Sequence, residues 1–574
     1  MKNQLVAEIF YQIADILEIQ GDIPFKSRAY RRAAQLIETL DEDIEHLVRA
    51  GKLRSLPGVG EGLAMKITEI VETGELQYFE KLKKEVPESL STLIRIPGVG
   101  PKKASVLYKT LRISTVAQLK KACEEGKLRD LDGFGEITEQ NIIRGIQMLE
   151  RAGGRVLLSI AYEDGNKYLE YLKKMKKIQR VSLAGSLRRM KETIGDLDIL
   201  AASIDPDAVM EYFVRYSDVK TVLLSGSTKT SVVLDDGIQV DLRVVKPESY
   251  GAALQYFTGS KEHNVTLRGI AIRKGYKLSE YGVFKKDTDT YVVGKDEKEV
   301  YNKLGLSYIE PELRENRGEI KAAQNKQLPK LLGYGDVNGD FHVHSTWSDG
   351  SDSIADLVRA AKQMRFSFIG VTDHSQSLRV AGGLSEESVQ KKLKEIDKIN
   401  KTISGFRIFA GTECDIKADG SLDYSDKILE RFDFVCAAVH TRFKMSKAEM
   451  TARIVTAMEN EHVTILAHPT CRLIGRREPI ELDMEQLIDT ARGTNTYLEI
   501  NAFPDRLDLN DVHIRAAKER SVSFALGTDS HSIDHLRYIR FGVATARRGW
   551  LEKKDVLNTY SLREVENKLQ RKKG

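Results

Sequence analysis

The chain contains Gly195-Asp196-Leu197-Asp198-Ile199-Leu200, a short segment in which aspartates alternate with apolar residues. Alternation of this kind is typical of a β-strand with one buried face. Side chains two residues apart project from the same face of a strand, so Asp196 and Asp198 are predicted to lie side by side. Two carboxylates this close repel each other unless a divalent cation lies between them. The segment therefore predicts a metal-binding strand.

Two neighbouring segments extend this interpretation. Downstream, Ile238-Gln239-Val240-Asp241-Leu242-Arg243 alternates in the same way and places Asp241 on its polar face. Upstream, Gly185-Ser186-Leu187-Arg188-Arg189 combines a turn, a hydroxyl and cations, which suits a triphosphate. Three carboxylates on adjacent strands can hold two Mg²⁺ ions for an in-line phosphoryl displacement. Each segment alone is common in ordinary strands and turns, whereas their order is specific.

The first 150 residues are predicted to form short amphipathic helices, because apolar residues recur there at helical spacing. A short motif repeats before three of the helical segments, as Leu56-Pro57-Gly58-Val59-Gly60, Ile96-Pro97-Gly98-Val99-Gly100 and, more weakly, Leu131-Asp132-Gly133-Phe134-Gly135. Gly-x-Gly before a helix turns backbone N–H groups outward, where they suit a phosphate oxygen. A single copy is more typical of a plain turn between helices, but the repetition favours contacts to a nucleic-acid backbone without sequence readout.

Histidines are concentrated in the last part of the chain, where nine of the eleven lie after residue 340. Apolar runs recur there about every 30 residues, with helical segments between them, and nearly all end in His, Asp or Glu. This spacing predicts a parallel βα barrel, whose functional side chains lie at the C-terminal strand ends. A lone histidine at a strand end is usually an ordinary polar residue. Seven strands that end in such residues predict a metal site instead, and mixed N/O ligation suits Zn²⁺, Mn²⁺ or Fe²⁺.

Composition excludes several other classes of protein. The chain has 574 residues, enough for about four domains of roughly 150 residues. Its 41% hydrophobic and 30% charged residues are typical of a globular protein, and no uncharged apolar run is long enough to span a membrane. Four cysteines without paired spacing, and a charged first segment unlike a signal peptide, predict a cytoplasmic location. The net charge of +5 alone does not indicate a nucleic-acid partner.

Residues 1–318 resemble the family-X DNA polymerases of the polymerase beta type. The glycine motifs resemble helix-hairpin-helix motifs, and the region from Ala184 to Asp198 resembles the nucleotide-binding palm. Tyr256-Phe257-Thr258-Gly259-Ser260 resembles the family's motif beside the incoming sugar, and Ser279–Phe284 resembles its thumb. The resemblance implies that Mg²⁺ or Mn²⁺ binds Asp196, Asp198 and Asp241, with Asp241 activating the primer hydroxyl. It implies further contacts to nucleotide from Gly185, Ser186, Arg189, Tyr256, Phe257, Gly259, Asn264 and Arg268, and to DNA from Gly58, Gly60, Lys66, Gly98 and Gly100.

The chain departs from this family at one position. Eukaryotic repair members carry a Schiff-base lysine in the helix of the first hairpin, where this chain has Lys66, but Gly62 replaces their neighbouring lysine. The sequence therefore leaves open whether Lys66 supports a 5′-deoxyribose-phosphate lyase activity.

Residues 340–570 resemble the polymerase-and-histidinol-phosphatase (PHP) domain. The motifs that carry the likeness are His342-Val343-His344, Ser348-Asp349-Gly350, Thr372-Asp373-His374, His468-Pro469 and Thr528-Asp529-Ser530-His531. The resemblance implies phosphoester hydrolysis with about three metals on nine ligands, which are His342, His344, Asp349, His374, Glu413, His440, His468, Asp529 and His531. Asp373 and Glu499 are predicted to support these ligands rather than to bind metal.

The predicted architecture is therefore a multidomain α/β protein. Its expected parts are an 8-kDa-like helical DNA-binding domain (1–85), a fingers-like helical region (86–150), a mixed α+β nucleotidyltransferase palm (151–250), a thumb-like region (251–318), a linker (319–339) and a distorted seven-stranded (βα) barrel (340–574).

This order of motifs is similar to that of bacterial family-X DNA polymerases with a C-terminal PHP domain. It predicts a monomeric DNA polymerase that fills short gaps in DNA repair, using deoxynucleoside triphosphates on gapped or primer–template DNA. The barrel is predicted to be a metal-dependent 3′–5′ exonuclease, and cleavage at abasic sites stays open. One alternative makes the barrel a small-molecule phosphatase; another makes the chain a non-catalytic DNA-binding scaffold. The complete ligand sets count against the scaffold, and the hairpins favour DNA over a small phosphoester.

Overall fold

A computed structural model describes most of the chain. The described residues are 2–20, 24–38, 44–56, 58–74, 76–85, 93, 99, 101–129, 131, 134–135, 138–139, 142–143, 155–235 and 237–572. The chain forms two compact units, one of Met1–Gly153 with Gly475–Arg477 and one of Gly154–Ile474 with Glu478–Gly574. Within the described ranges, every helix is too short or too polar to cross a bilayer.

The first unit is helical, as predicted. Its described helices are α1 (Lys2–Gln20), α2 (Pro24–Glu38), α3 (Ile44–Arg49), α4 (Glu61–Thr73), α5 (Gln77–Glu85), α6 (Pro101–Leu111) and α7 (Val116–Glu124). The apolar residues at helical spacing in α1 are buried against α2, and the rings of Phe10 and Tyr30 meet edge to face at 5.2 Å. Helix α7 begins at a capping box in which Thr115 and Gln118 satisfy each other's backbone N–H groups.

The second unit begins with a five-stranded mixed sheet, the palm sheet, whose neighbouring strands are, in order, β2 (Arg180–Leu183), β4 (Asp196–Ala202), β7 (Gln239–Val245), β6 (Lys229–Leu234) and β5 (Val219–Ser225). Strands β4 and β7 are parallel, and the other pairs are antiparallel. Two short strands, β1 (Val156–Leu157) and β3 (Thr193–Ile194), pair with each other outside this sheet. The helices that accompany them are α8 (Leu158–Lys173), α9 (Gly185–Arg188) and α10 (Pro206–Phe213).

A smaller α/β region follows the palm sheet. It contains α11 (Tyr250–Thr258), α12 (Lys261–Arg273), β8 (Tyr276–Ser279), β9 (Gly282–Lys285), β10 (Tyr291–Val293) and α13 (Glu297–Lys303). The segment 319–339, expected to be a linker, includes helix α14 (Glu319–Gln324), whose Ile320 and Ala323 are buried in the core of this region.

The C-terminal part is a nearly closed barrel of seven parallel strands in sequential order, which confirms the predicted fold. A parallel bridge between Val343 and Ser530 links its first and last strands. The strands are β11 (Gly339–Val343), β12 (Phe368–Val371), β13 (Arg407–Asp415), β14 (Phe434–Ala438), β15 (Val463–Leu466), β16 (Tyr497–Asn501) and β17 (Phe524–Gly527). Because the strands are all parallel, their C-terminal ends meet at one face of the barrel.

Helices connect and cover these strands. They are α15 (Ile354–Gln363), α16 (Glu386–Asn400), α17 (Asp426–Leu429), α18 (Lys447–Met458), α19 (Met484–Thr494), α20 (Asp511–Glu519), α21 (Ile539–Arg548) and α22 (Leu562–Lys572). Five of them begin at a side chain that accepts backbone N–H bonds, namely Ser353, Ser385, Ser446, Asp483 and Asn510. Short 3₁₀ helices lie at Leu53–Ser55, Pro247–Ser249, Pro311–Leu313, Arg379–Ala381, Ile533–Tyr538, Lys553–Asp555 and Leu557–Thr559.

The palm sheet and the barrel share part of one hydrophobic core. Leu507, Phe541 and Ala544 of the barrel region are buried in the same cluster as Leu197 and Val240 of the palm sheet. Arg472 of the barrel region also pairs with Glu192, at 2.7 Å. These two parts of the second unit are therefore packed together rather than tethered.

Candidate active sites

The three palm aspartates converge. Asp196 and Asp198 lie on β4, and the parallel register pairs Asp198 with Asp241 of β7. One carboxylate oxygen from each residue lies within 4.8 Å of the other two. Strand alternation, from which the sequence predicted this cluster, is the reason that Asp196 and Asp198 share a face.

The electrostatics of the cluster favour a bound cation. Burial, reinforced by the charges of Asp196 and Asp241, raises the pKa of Asp198 to about 7. Burial alone would also raise the pKa of Asp241, but hydrogen bonds led by that from Lys229 outweigh it and lower this pKa. Lys229 Nζ lies 2.6 Å from Asp241 Oδ2, a contact that the sequence did not predict. A divalent cation would relieve the repulsion between these carboxylates, so the residues fit a metal site.

Gly185 lies directly against this cluster. Its φ is +59°, and a Cβ on Gly185 would lie 2.1 Å from Oδ2 of Asp198. Glycine is therefore required for two reasons, the left-handed backbone and the close approach. Ser186 follows in the first turn of α9, so the predicted nucleotide-binding turn and the aspartates are adjacent.

Arg189 and Arg188, which follow Ser186, both have carboxylate partners. Arg189 Nε donates to Glu315 Oε1 at 3.0 Å, and its Nη1 donates to the carbonyl oxygen of Thr258 at 2.6 Å. Arg188 forms two hydrogen bonds with the carboxylate of Glu297, at 2.9 and 2.6 Å. Arg189 is thereby held beside Gly259, whose φ is +72°.

The other predicted nucleotide contacts lie on α11 and α12. Tyr256 and Phe257 are half-buried at the end of α11, with ring centroids 5.1 Å apart. Asn264 Nδ2 donates to the carbonyl of Tyr256 at 2.7 Å, and its Oδ1 accepts from Gln255 at 2.7 Å, so this amide joins the two helices. Arg268 lies one turn further along α12 and is exposed.

The predicted DNA-binding residues of the first unit are described only in part. Gly58 has φ +81°, Gly60 caps α4, and a Cβ at either would meet nothing described within 4 Å. This open backbone at a helix N-terminus suits a phosphate oxygen. Lys66 lies on α4, with Nζ 5.1 Å from the ring centroid of Tyr78. Gly98 and Gly100 lie outside the described residues.

All nine predicted ligands of the barrel meet at its C-terminal face. Eight of them form three groups whose ligand atoms lie within 4.8 Å of one another. The groups are His344, Asp349, His374 and His531; His342, His344 and Asp529; and His374, Glu413 and His440. The ninth, His468, places Nε2 at 2.8 Å from Glu413 Oε1. Asp349 and His531 are partly exposed, so the cluster opens to solvent there.

Several buried nitrogens in this cluster have no hydrogen-bond partner among the described residues. They are His342 Nε2, both ring nitrogens of His344, His374 Nδ1 and His468 Nδ1. His374 Nδ1 lies 2.9 Å from Glu413 Oε2 without hydrogen-bond alignment, as expected when two metal-ligating atoms face a common centre. Leaving so many buried polar atoms unpaired is costly, so the residues fit bound metal ions.

The ligands shift one another's pKa values. Burial alone would lower the pKa of His342, His374, His440 and His531, but neighbouring carboxylates outweigh it and raise these pKa values, so these imidazoles would release protons on binding metal. Two other ligands already favour the metal-binding form. Burial, together with the charges of His531 and His374, lowers the pKa of His344 to about 4, so this imidazole is neutral at physiological pH. Burial alone would raise the pKa of Glu413, but the surrounding histidines lower it well below its usual value. Neutral imidazole and ionised carboxylate are the forms that bind metal.

Other buried residues orient the ligands. Glu499 Oε1 lies 2.6 Å from His342 Nδ1, in the supporting role predicted for it. Asp373, also predicted to be supporting, instead pairs with buried Lys392 at 2.8 Å and accepts hydrogen bonds from Ser345. Asp415, not singled out in the sequence, bonds His440 Nδ1. It lies two residues after Glu413 on β13, so period-two alternation could have identified it.

Arg506 is a further residue that sequence reasoning missed. Its Nε lies 3.2 Å from Asp529 Oδ2, and its buried Nη1 has no partner within the described ranges. The backbone is also strained nearby, because His468 has φ +27° and Asp529 has φ +55°. A cation beside the ligand cluster suits an anionic substrate.

Known families and a known protein are similar to this chain in sequence. Family models match a helix-hairpin-helix domain at residues 1–76, a SAM-like helix-hairpin-helix tandem at 90–148, a DNA polymerase beta thumb at 253–315 and a PHP domain at 340–502. The DNA polymerase/3′-5′ exonuclease PolX of Bacillus subtilis (strain 168) is 40% identical over 573 residues, which cover 100% of both chains.

More distant relatives match about half of the chain. DNA polymerase lambda of Arabidopsis thaliana is 26% identical over 54% of this chain and 62% of its own. DNA polymerase lambda of Rattus norvegicus is 25% identical over 54% of this chain and 56% of its own. The chain is 40% identical to PolX along its whole length and matches both the polymerase beta thumb and the PHP domain. It therefore belongs to the PolX family of DNA polymerases, as its motifs predicted.

Proposed function

We propose that this chain is a DNA-directed DNA polymerase with a linked, metal-dependent 3′–5′ exonuclease. The observation that carries the proposal is the presence of two separate clusters of metal-ligating side chains, one on the palm sheet and one at the barrel face. They occur in a chain that is 40% identical to PolX along its whole length.

The palm cluster is the proposed polymerase site. Asp196, Asp198 and Asp241 would hold Mg²⁺ or Mn²⁺, and the chemistry supplied by such cations is charge stabilisation at the attacking and leaving oxygens of phosphoryl transfer. Lys229 keeps Asp241 ionised and so available to accept the proton of the primer hydroxyl. Arg189 lies beside the turn of Gly185 and Ser186, which places a fixed positive charge where the triphosphate is proposed to bind.

The barrel cluster is the proposed exonuclease site. Its nine ligands would hold about three transition metals (Mn²⁺, Zn²⁺ or Fe²⁺), and the chemistry supplied by such metals is a lowered water pKa and stabilisation of charge on phosphorus oxygens. Glu499 and Asp415 fix the imidazoles of His342 and His440. Arg506 would pair with the phosphate of the substrate, because its free Nη1 lies beside the ligands.

The proposed substrates are gapped or primer–template DNA and deoxynucleoside triphosphates, with repair of short gaps as the role. The open backbone at Gly58 and Gly60 supports contacts to a DNA backbone in the first unit. We also propose a monomer in the cytoplasm, because the four cysteines show no paired spacing in the sequence, which fits a reducing compartment. Lyase activity at Lys66 and cleavage at abasic sites stay predictions.

A labelled primer–template tests the two assignments separately. With Mn²⁺ and all four deoxynucleoside triphosphates, Asp198→Ala should lose extension and keep degradation, whereas His344→Ala should do the reverse. His462→Ala changes a barrel histidine outside the ligand cluster and is the matched control. Loss of both activities in either variant would contradict separate sites. If the wild-type protein hydrolyses a small phosphate ester but not DNA, and His344→Ala stops this hydrolysis, the barrel is a small-molecule phosphatase.

A further inference from the structure

Arg548, the last residue of α21 in the barrel region, reaches the nucleotide-binding turn of the palm. Its side chain is only 5% exposed. Nη1 of Arg548 donates to the backbone carbonyl of Arg189 at 2.7 Å and to Glu315 Oε1 at 3.0 Å. Nη2 donates to Asp511 Oδ2 at 2.6 Å. A barrel residue is therefore part of the immediate surroundings of Arg189.

Glu315 links the two arginines. Its Oε1 accepts hydrogen bonds from both Arg189 Nε and Arg548 Nη1, each at 3.0 Å. A carboxylate shared in this way has its charge divided between two guanidinium groups. If Arg548 were neutral, Arg189 and the nearby Lys191 would be the remaining cations at Glu315, and Glu315 would compete more strongly with an anionic ligand for the charge of Arg189.

The same argument applies to Asp511, which pairs with Arg548 at 2.6 Å and with Arg317 at 3.1 Å. Without Arg548, the partly buried carboxylates of Glu315 and Asp511 would each lose a guanidinium partner, which leaves Glu315 paired with Arg189 and Asp511 paired with Arg317. Burial strengthens such interactions because the surroundings are less polar than water. Arg548 therefore controls how much positive charge Arg189 can offer.

We propose that Arg548 is a positioning residue of the polymerase site, supplied by the exonuclease domain, which holds the Arg189 backbone and neutralises Glu315 so that Arg189 can bind the triphosphate of the incoming nucleotide. The inference rests on the proposed polymerase function. It makes the barrel region a part of the nucleotide-binding machinery in addition to its own active site.

The neighbouring Arg547 provides a matched control. It lies on the same helix and pairs with Glu312 at 2.8 Å, but none of its described contacts includes Arg189 or Glu315. A purely structural role of the interface would make Arg547→Gln and Arg548→Gln similar in their effects. If Arg548 instead compensates charge, only Arg548→Gln should change nucleotide binding.

The experiment uses the full-length protein and steady-state primer extension. Arg548→Gln should raise KM for the nucleotide about tenfold, within the usual range of coupling between sites, with kcat changed less than about threefold. Inorganic tripolyphosphate, a competitive probe of the triphosphate site, should inhibit the variant about tenfold more weakly. Degradation of a labelled primer without nucleotides should continue, which shows that the barrel is folded. Arg547→Gln should change neither KM nor inhibition by tripolyphosphate.

Rescue distinguishes charge from packing. In an Arg548→Gln/Glu315→Gln double variant the uncompensated carboxylate is gone, so KM should return to within about threefold of the Glu315→Gln single variant. An unchanged KM in Arg548→Gln, or equal effects in Arg547→Gln, would overturn the inference. If Arg548→Gln is not folded, Arg548→Lys, which keeps the charge, is compared with Arg548→Met, which removes it. Equal KM values for the nucleotide in these two variants would overturn the inference. Absence of extension by the wild-type protein would instead refute the proposed function.

Discussion

Replacing Gly185 with alanine should disable the polymerase site while leaving the exonuclease intact. The added Cβ would lie 2.1 Å from Oδ2 of Asp198, whereas ordinary contacts begin at 3.4 Å. Relief of the clash therefore requires a displacement of about 1.3 Å, the difference between these two distances. Asp198 is half-buried and pairs in register with Asp241, so the displacement would separate the aspartates that must share a cation.

The expected loss can be estimated from this geometry. A misplacement of about 1 Å at a reacting centre costs on the order of 100-fold in rate, which corresponds to about 2.7 kcal/mol. The left-handed backbone, with φ +59°, adds a stability cost of about 1–2 kcal/mol for a residue with a Cβ. Single-turnover primer extension measures the first effect, and thermal unfolding measures the second.

Gly237→Ala is the matched control. Gly237 has φ +90°, but a Cβ there would meet nothing described within 4 Å. Both variants should share the stability cost of the positive φ, and only Gly185→Ala should lose about 100-fold in extension rate. Near-normal extension by Gly185→Ala, or an equal loss in Gly237→Ala, would refute the reasoning.

Three further predictions concern protons, ligands and salt. Asp198, with its pKa of about 7, must lose a proton to bind Mg²⁺, so the Mg²⁺ affinity of extension should fall about tenfold per pH unit below 7. The folded state holds this proton and the unfolded state does not. In the absence of metal, the contribution of this carboxyl to the free energy of unfolding should therefore fall as pH rises towards 7. A Mg²⁺ requirement that does not change with pH would contradict the assignment. Glu499→Gln should weaken Mn²⁺ activation of degradation by about 10–100-fold with extension retained, in a Mn²⁺ titration. Binding to gapped DNA should weaken steeply with salt and depend little on sequence, in titrations with two duplexes; flat salt dependence would count against backbone contacts.

Local periodicity was sufficient to predict much of both sites. Alternation along β4 placed Asp196 and Asp198 together, and the strand–helix rhythm after residue 340 predicted a metal site at the strand ends, for which the resemblance implied the nine ligands. These predictions succeed because a strand has a fixed period of two and parallel strands end at the same edge.

Contacts between distant segments could not be predicted in this way. Lys229 meets Asp241 because β6 pairs with β7 in a particular register, which the sequence of either strand does not specify. Arg189 and Arg548 are 359 residues apart, and their contact depends on how α21 packs on the palm. The resemblance assigned Arg189 to the nucleotide, but nothing in the sequence indicated that this guanidinium pairs with Glu315.

The burial of Leu507, Phe541 and Ala544 in the palm core limits how the two activities can be dissected. A polymerase fragment that stops before β11 would expose the apolar surface that these side chains cover, and such surfaces promote aggregation. Loss of extension in the shortened protein would then report poor solubility instead of a contribution from nuclease chemistry. Single substitutions of ligands at the C-terminal face of the barrel leave this shared core intact. They are therefore the better way to abolish degradation while keeping extension.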